Sequence, residues 1–129
     1  MLSNPDQLLH ALSTPQLDAA RKHSGNRGNR VVELEVAAWL HLPGLSNLPV
    51  SLIVSYLDGD QSREVPIDHG RIDPQQRILL SGVARLPLQK ALEGVELRLR
   101  CAVVPHSIKV EDIFVQPIEP APSRQLNIA

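Results

Sequence analysis

The stretch that decides the fold runs from Val32 to Leu42 and reads Val-Glu-Leu-Glu-Val-Ala-Ala-Trp-Leu-His-Leu. Apolar residues occupy every second position from Val32 onward, and the positions between them hold two glutamates, an alanine, Trp39 and His41. Successive side chains of a β-strand point to opposite sides of its sheet, so a period of two predicts a strand with one buried face. We expect Pro43-Gly44 to end this strand.

The same alternation recurs along the rest of the chain. Its clearest case runs from Val95 to Val103. Further strands are predicted over residues 49–57, 62–68, 77–86 and 108–116. Asp58-Gly59-Asp60 predicts a tight hairpin turn, because Asp and Gly tolerate positive φ. Pro66 cannot donate a hydrogen bond to a central ladder, so its strand is expected at the edge of a sheet.

These strands predict a mainly β fold. Helices long enough to connect parallel neighbours are missing from the pattern, which favours antiparallel pairing. Each strand has one apolar face, and two sheets packed face to face would bury all of these faces together. Leu, Val and Ile make up 40 of 129 residues, enough for a sizeable core. We therefore expect a small antiparallel β-sandwich of about six strands with a short N-terminal helical arm; a partly open β-barrel is the alternative.

Residues 4–23 carry helix signals. Asn4-Pro5 followed by Gln7 matches a helix N-cap with its capping-box partner. Pro15 interrupts the pattern, so we expect two short helices or one kinked helix, the second over residues 16–23. Elsewhere, Gly82 predicts a bulge or bend, and residues 88–93 predict a single helical turn.

The composition divides the chain into four parts. The predicted division is an N-terminal helical arm over residues 1–23, a basic Gly/Asn/Arg loop over 24–30, a β-sandwich domain over 31–117, and a proline-containing tail over 118–129.

Charge and cysteine content limit the partners. With 13 basic and 14 acidic residues, the formal net charge of −1 gives no overall field that would attract a nucleic acid or a membrane surface, and neither partner is expected. One cysteine cannot form an intramolecular disulfide. No apolar stretch approaches the length of a membrane span, and the first residues do not resemble a secretory signal. We expect a soluble, cytoplasmic protein.

One candidate site would bind an anion. Gly25-Asn26-Arg27-Gly28-Asn29-Arg30 combines backbone amides suited to an anion-binding turn with two arginines that could clamp a phosphate. His69 and Arg71 lie in a second polar loop and complete this candidate set. The alternative for both segments is a solvated, charged loop.

A second candidate site is an interaction surface at Trp39 and His41. Both residues lie on the outward face of the first long strand, and an exposed tryptophan is a frequent anchor of protein interfaces. The alternative, which the leucines of the N-terminal segment favour, is that Trp39 lies beneath the N-terminal helix.

Other chemistry-bearing residues predict no catalytic or metal site. Cys101 shares a face with Leu99 and Val103, which favours a buried structural cysteine over a nucleophile paired with His106. Asp58-x-Asp60-x-Ser62 resembles the start of a calcium loop but fits a hairpin turn better. The five histidines show no metal-ligand spacing. We expect no metal and no cofactor, and no enzymatic activity is predicted.

The function that these patterns favour is a non-enzymatic protein-interaction or accessory module with an unidentified protein partner. The alternative is a small-ligand or anion-binding module, for phosphate or a nucleotide, that uses the basic loop. We expect a monomer or a weak homodimer.

Overall fold

The computed structural model describes residues 6–22, 30–102 and 107–118, and of Arg30 the backbone alone. Along the chain the elements are β1 (Gln7–Ala11), α1 (Thr14–Lys22), β2 (Arg30–His41), β3 (Pro49–Asp58), β4 (Gln61–Arg71), β5 (Arg77–Leu88), β6 (Leu92–Cys101) and β7 (Lys109–Pro117).

The strands form two antiparallel sheets. Sheet A has the order β1-β6-β3-β4, and sheet B has the order β5-β2-β7. The predicted small β-sandwich with a short helix is confirmed, and the described strands do not join into a closed barrel. The prediction that the strand with Pro66 lies at the edge of a sheet is also confirmed, because β4 is an outermost strand of sheet A.

The core lies between the sheets and is almost entirely aliphatic. Alternate residues of β2, β3, β5 and β6 point inward and are buried, as the period of two predicts. The buried inward side chains include Val32, Leu34, Val36, Leu40, Leu52, Val54, Leu80, Leu86, Leu97 and Leu99. Tyr56 is the one aromatic residue among the buried side chains of the described chain.

The two lateral openings of the sandwich are closed in different ways. On one side β4 approaches β5, where Ser81 N donates a 2.9 Å hydrogen bond to the Asp68 carboxylate. On the other side α1 packs against β6, β2 and β7 and buries Ala20 completely. The helix begins with a capping box in which Ser13 and Gln16 exchange hydrogen bonds of 2.9 and 3.3 Å.

The first part of the predicted helical arm is wrong. Residues 7–11 form β1, which pairs with β6 and extends sheet A, while only residues 14–22 are helical. An edge of β6 was free to accept a strand, and a tertiary ladder of this kind overrides a local helix signal. The resulting seventh strand is the one that the pattern missed.

Three smaller expectations also change. The strand predicted to end at Asp68 continues to Arg71, so His69 lies in β4 and not in a loop. The segment between β5 and β6 is a tight turn and not a helical turn, because the Asp58 carboxylate accepts hydrogen bonds from Gln89 N and Lys90 N. Gly82 pairs in register with Val36 and forms no bulge.

Candidate functional site

The outer face of sheet B carries an exposed apolar surface. Trp39 and Phe114, two of the three aromatic residues of the chain, are 39 % and 40 % exposed. Leu79 and Val83, both 50 % exposed, lie on the same face, and the buried Ala37 lies between them. We call these five residues the Trp39 face.

The register of the strands brings the Trp39 face together. Trp39 of β2 lies opposite Leu79 of β5, and Ala37 of β2 lies opposite Phe114 of β7. Cross-strand partners project to the same side of a sheet, so residues that are 75 positions apart in sequence become neighbours, as Trp39 and Phe114 show. Because the alanine between them is small, the centre forms an open depression of about 440 Å³.

Two ion pairs limit the Trp39 face along the direction of β2. At one end Arg85 Nε lies 3.0 Å from a carboxylate oxygen of Glu33. At the other end Arg77 Nη2 reaches Glu111 across β2 at 3.5 Å. The surface is therefore an apolar centre with a charged border, the arrangement found in many protein interfaces.

The outer face of sheet A is different. There Arg100 binds Asp6 at 2.7 Å and Glu64 at 3.0 Å, and the Arg100 guanidinium lowers the pKa of the Asp6 carboxyl by hydrogen bonding and by its charge. Ile53 lies on this face but is only 2 % exposed. Charged side chains thus lie over the middle of sheet A, whose exposed large apolar residues, Leu8 and Leu57, lie apart on strands separated by β6. Sheet B instead groups its large apolar side chains on one surface.

The expectation that Trp39 lies beneath the N-terminal helix is wrong. Helix α1 packs at the side of the sandwich, where Pro15 and Ala19 line a groove with Leu34 and Val115 of the inner face. Trp39 points away from that interior, because it lies an odd number of residues from Leu34 in the same strand. His41, the second predicted interaction residue, is half-buried at the end of β2, opposite Arg77 and Lys109.

The structure does not bring Arg30 together with His69 and Arg71, the three anion-site candidates that lie in the described residues. Arg30 begins β2 opposite Leu88, whereas His69 and Arg71 end β4 near Arg77. These positions are separated by the length of β5, roughly 35 Å at the rise of a β-strand. Arg71 donates a 2.9 Å hydrogen bond to Asn47 O, and Arg27 lies outside the described residues.

Asp58 does not act as the first ligand of a calcium loop. Its side chain is 1 % exposed and accepts hydrogen bonds from Gln89 N, Lys90 N and Arg63 Nε at 2.9, 2.7 and 3.2 Å. The hydrogen bond from Gln89 N lowers the pKa of Asp58 most; burial opposes it, and Lys90 N and Arg63 lower the pKa further. The carboxylate therefore fixes two turns of the fold.

No metal or nucleophile site emerges within residues 6–22, 30–102 and 107–118. No three His, Cys, Asp or Glu side chains of this part of the chain are grouped to hold a metal ion. Cys101 is partly buried against the core, on the inward face that the alternation predicts. His106, its hypothetical partner, lies outside the described residues.

Among the described helices, none has the length and apolar character that a membrane span requires.

Comparison of the chain with known proteins finds no match among family models, curated proteins or solved structures.

Sequence reasoning found Trp39 but missed Leu79, Val83 and Phe114. All three are outward residues of predicted strands, so their alternation was visible in the sequence. Their common surface was not, because the order β5-β2-β7 and its register depend on pairing between distant segments.

Proposed function

We propose that this chain is a non-enzymatic protein-interaction module and that the Trp39 face binds a protein partner. The observation that carries the proposal is the placement of Trp39 and Phe114 as diagonal neighbours around Ala37 on an outer sheet face, in a protein whose core is almost entirely aliphatic. Burying exposed apolar surface contributes roughly 25 cal/mol per Å², so such a face gains free energy when a partner covers it.

The chemistry of the face fits this role. Tryptophan dominates the binding energy of many interfaces, and a ring that is already held in a sheet loses little conformational entropy on binding. The depression over Ala37 is open and shallow, which suits a protruding side chain of a partner better than an enclosed small molecule.

The test compares capture of host proteins by three forms of the full chain. Wild-type protein and a Leu57→Ser control are expected to retain the same protein in stoichiometric amount, whereas Trp39→Ser/Phe114→Ser is expected to lose it. Leu57 is a suitable control because it is 41 % exposed on the outer face of sheet A. Circular dichroism checks that all three forms are folded. Equal retention by the double variant would contradict the proposal.

A further inference from the structure

The charges around the Trp39 face are not balanced. Glu35 is exposed at the border of the depression, and its cross-strand neighbours are the uncharged Val83 and Gln116. Arg85, the diagonal neighbour of Glu35 on the same face, is engaged by Glu33 at 3.0 Å. Within the described chain, Glu35 forms no ion pair.

A second carboxylate, beside Trp39 on the β7 side, also has no ion-pair partner among the described residues. Asp112 lies opposite Trp39 in the register, and its carboxylate accepts a 2.9 Å hydrogen bond from Ile113 N. The described residues supply no salt bridge to it. Glu35 and Asp112 thus both lie beside the apolar centre and carry negative charge that no cation of the described residues pairs with.

A partner that covers the centre removes water from these carboxylates. A carboxylate that loses its hydration without gaining a cation or hydrogen-bond donor opposes binding. An arginine or lysine in the partner removes this cost, and an arginine can in addition stack on the Trp39 ring.

We infer that the partner is a basic, apolar protein segment that places one large apolar side chain in the depression over Ala37 and one arginine or lysine at Glu35. This inference rests on the proposed function and specifies the chemistry of its partner. The shape supports it, since the depression is open to solvent and is bordered by both the Trp39 ring and Glu35.

A second copy of this chain fits the face less well. Each face would bring four carboxylates against three lysine or arginine side chains, and two of those cations are already paired. The carboxylates belong to Glu33, Glu35, Glu111 and Asp112, and the cations to Arg77, Arg85 and Lys109. Like charges placed opposite each other oppose association. The same carboxylates disfavour an anionic membrane surface.

The test selects ligands from a phage-displayed library of random short peptides on the immobilised full chain. We expect the selected peptides to combine an aromatic or aliphatic residue with arginine or lysine. Trp39 is the single tryptophan of the chain, so a tryptophan-free selected peptide is expected to shift the emission of Trp39 to shorter wavelength. This shift locates the peptide on the face.

Glu35→Gln provides the decisive variant. It is expected to weaken binding of a selected peptide by roughly twofold to fivefold, the loss typical of one exposed ion pair. Asp60→Asn, which removes a charge at an exposed hairpin turn, is the matched control and is expected to leave the affinity unchanged.

The outcomes separate this inference from the proposed function. Peptides without a basic residue, bound equally by Glu35→Gln but lost by Trp39→Ser/Phe114→Ser, would overturn the basic partner and leave the interaction module in place. Peptides that bind the double variant as well as the wild type would overturn both. Emission of Trp39 that shifts with protein concentration alone, together with dimer sedimentation, would show that a second copy occupies the face and would also overturn the basic partner.

Discussion

Ile67 occupies the space that a side chain on Gly82 would need. A Cβ added to Gly82 would lie 2.9 Å from Ile67 Cγ2 and 3.2 Å from Ile67 O. Ile67 is the extra residue of a bulge in β4, since Leu52 pairs with Asp68 and the next residue, Ile53, pairs with Pro66. The bulge turns Ile67 toward β5 and brings the two sheets together at this corner.

Gly82→Ala is therefore expected to destabilise the fold by about 1–3 kcal/mol, the usual cost of forcing extra atoms into a packed site. The Ile67 atoms near the new methyl group are a backbone oxygen and the γ2 methyl of a β-branched side chain, and neither moves easily. Urea unfolding measures the change. Gly94→Ala is the control, because its added Cβ would meet Leu57 Cδ1 at an ordinary 3.6 Å. Equal midpoints for the two variants would contradict this account.

Tyr56→Phe should lower the free energy of unfolding by roughly 0.5–1.5 kcal/mol, the net value of one hydrogen bond. Tyr56 Oη donates a 2.9 Å hydrogen bond to Pro87 O, which joins β3 of sheet A to β5 of sheet B. The ring stays in the core in the variant, so the loss isolates the hydroxyl group. Thermal and urea unfolding monitored by Trp39 emission provide the measurement; an unchanged midpoint would show that the hydrogen bond contributes nothing.

Substitutions at two neighbouring residues of β5 should destabilise the fold to very different extents. Leu79→Thr is expected to cost less than about 1 kcal/mol, because half of this outward side chain is already in solvent and threonine suits a strand. Leu80→Ala should cost about 2–5 kcal/mol, since Leu80 is fully buried between the sheets. Denaturation followed by far-UV circular dichroism compares them. Similar losses at both positions would mean that the outer face of sheet B is covered.

The stability of the protein should fall in acid, and Asp58 should contribute to the fall. Its pKa in the folded state lies below the unfolded value of about 3.9. The stabilisation is therefore complete above that unfolded value and is lost as the pH drops through the lower folded value. Thermal midpoints between neutral pH and about pH 2 should show a smaller acid-induced decrease for Asp58→Asn than for wild type.

Asp58→Asn should also be less stable than wild type at neutral pH. The asparagine amide is uncharged and has one acceptor oxygen, so it cannot replace a carboxylate that accepts three hydrogen bonds. Asp60→Asn, two residues away, loses only an exposed ion pair with Lys90 and should leave the neutral-pH midpoint close to that of wild type. If Asp58→Asn and wild type lose stability in parallel on acidification, Asp58 is not the group responsible, and Asp6, whose pKa is also lowered, becomes the candidate.

The sequence by itself determined the strands and their buried faces. The alternation in residues 32–42 and 95–103, the turn at Asp58-Gly59 and the edge position of Pro66 all follow from local geometry. A period of two indicates that one face of a segment is apolar. Turn residues and proline restrict the backbone conformation and hydrogen bonding only of nearby residues. The second short helix was predictable for the same reason, because its Ser13–Gln16 cap is local.

Tertiary structure alone decided what covers each face. Residues 7–11 became a strand because the border of β6 offered a ladder, although their own sequence favours a helix. Trp39 stayed exposed because α1 packs at the side of the sandwich, and Phe114 became its neighbour through the pairing of β7 with β2. The physical reason is the same throughout: periodicity fixes the side to which a residue points, whereas its neighbours depend on pairing between segments far apart in the chain.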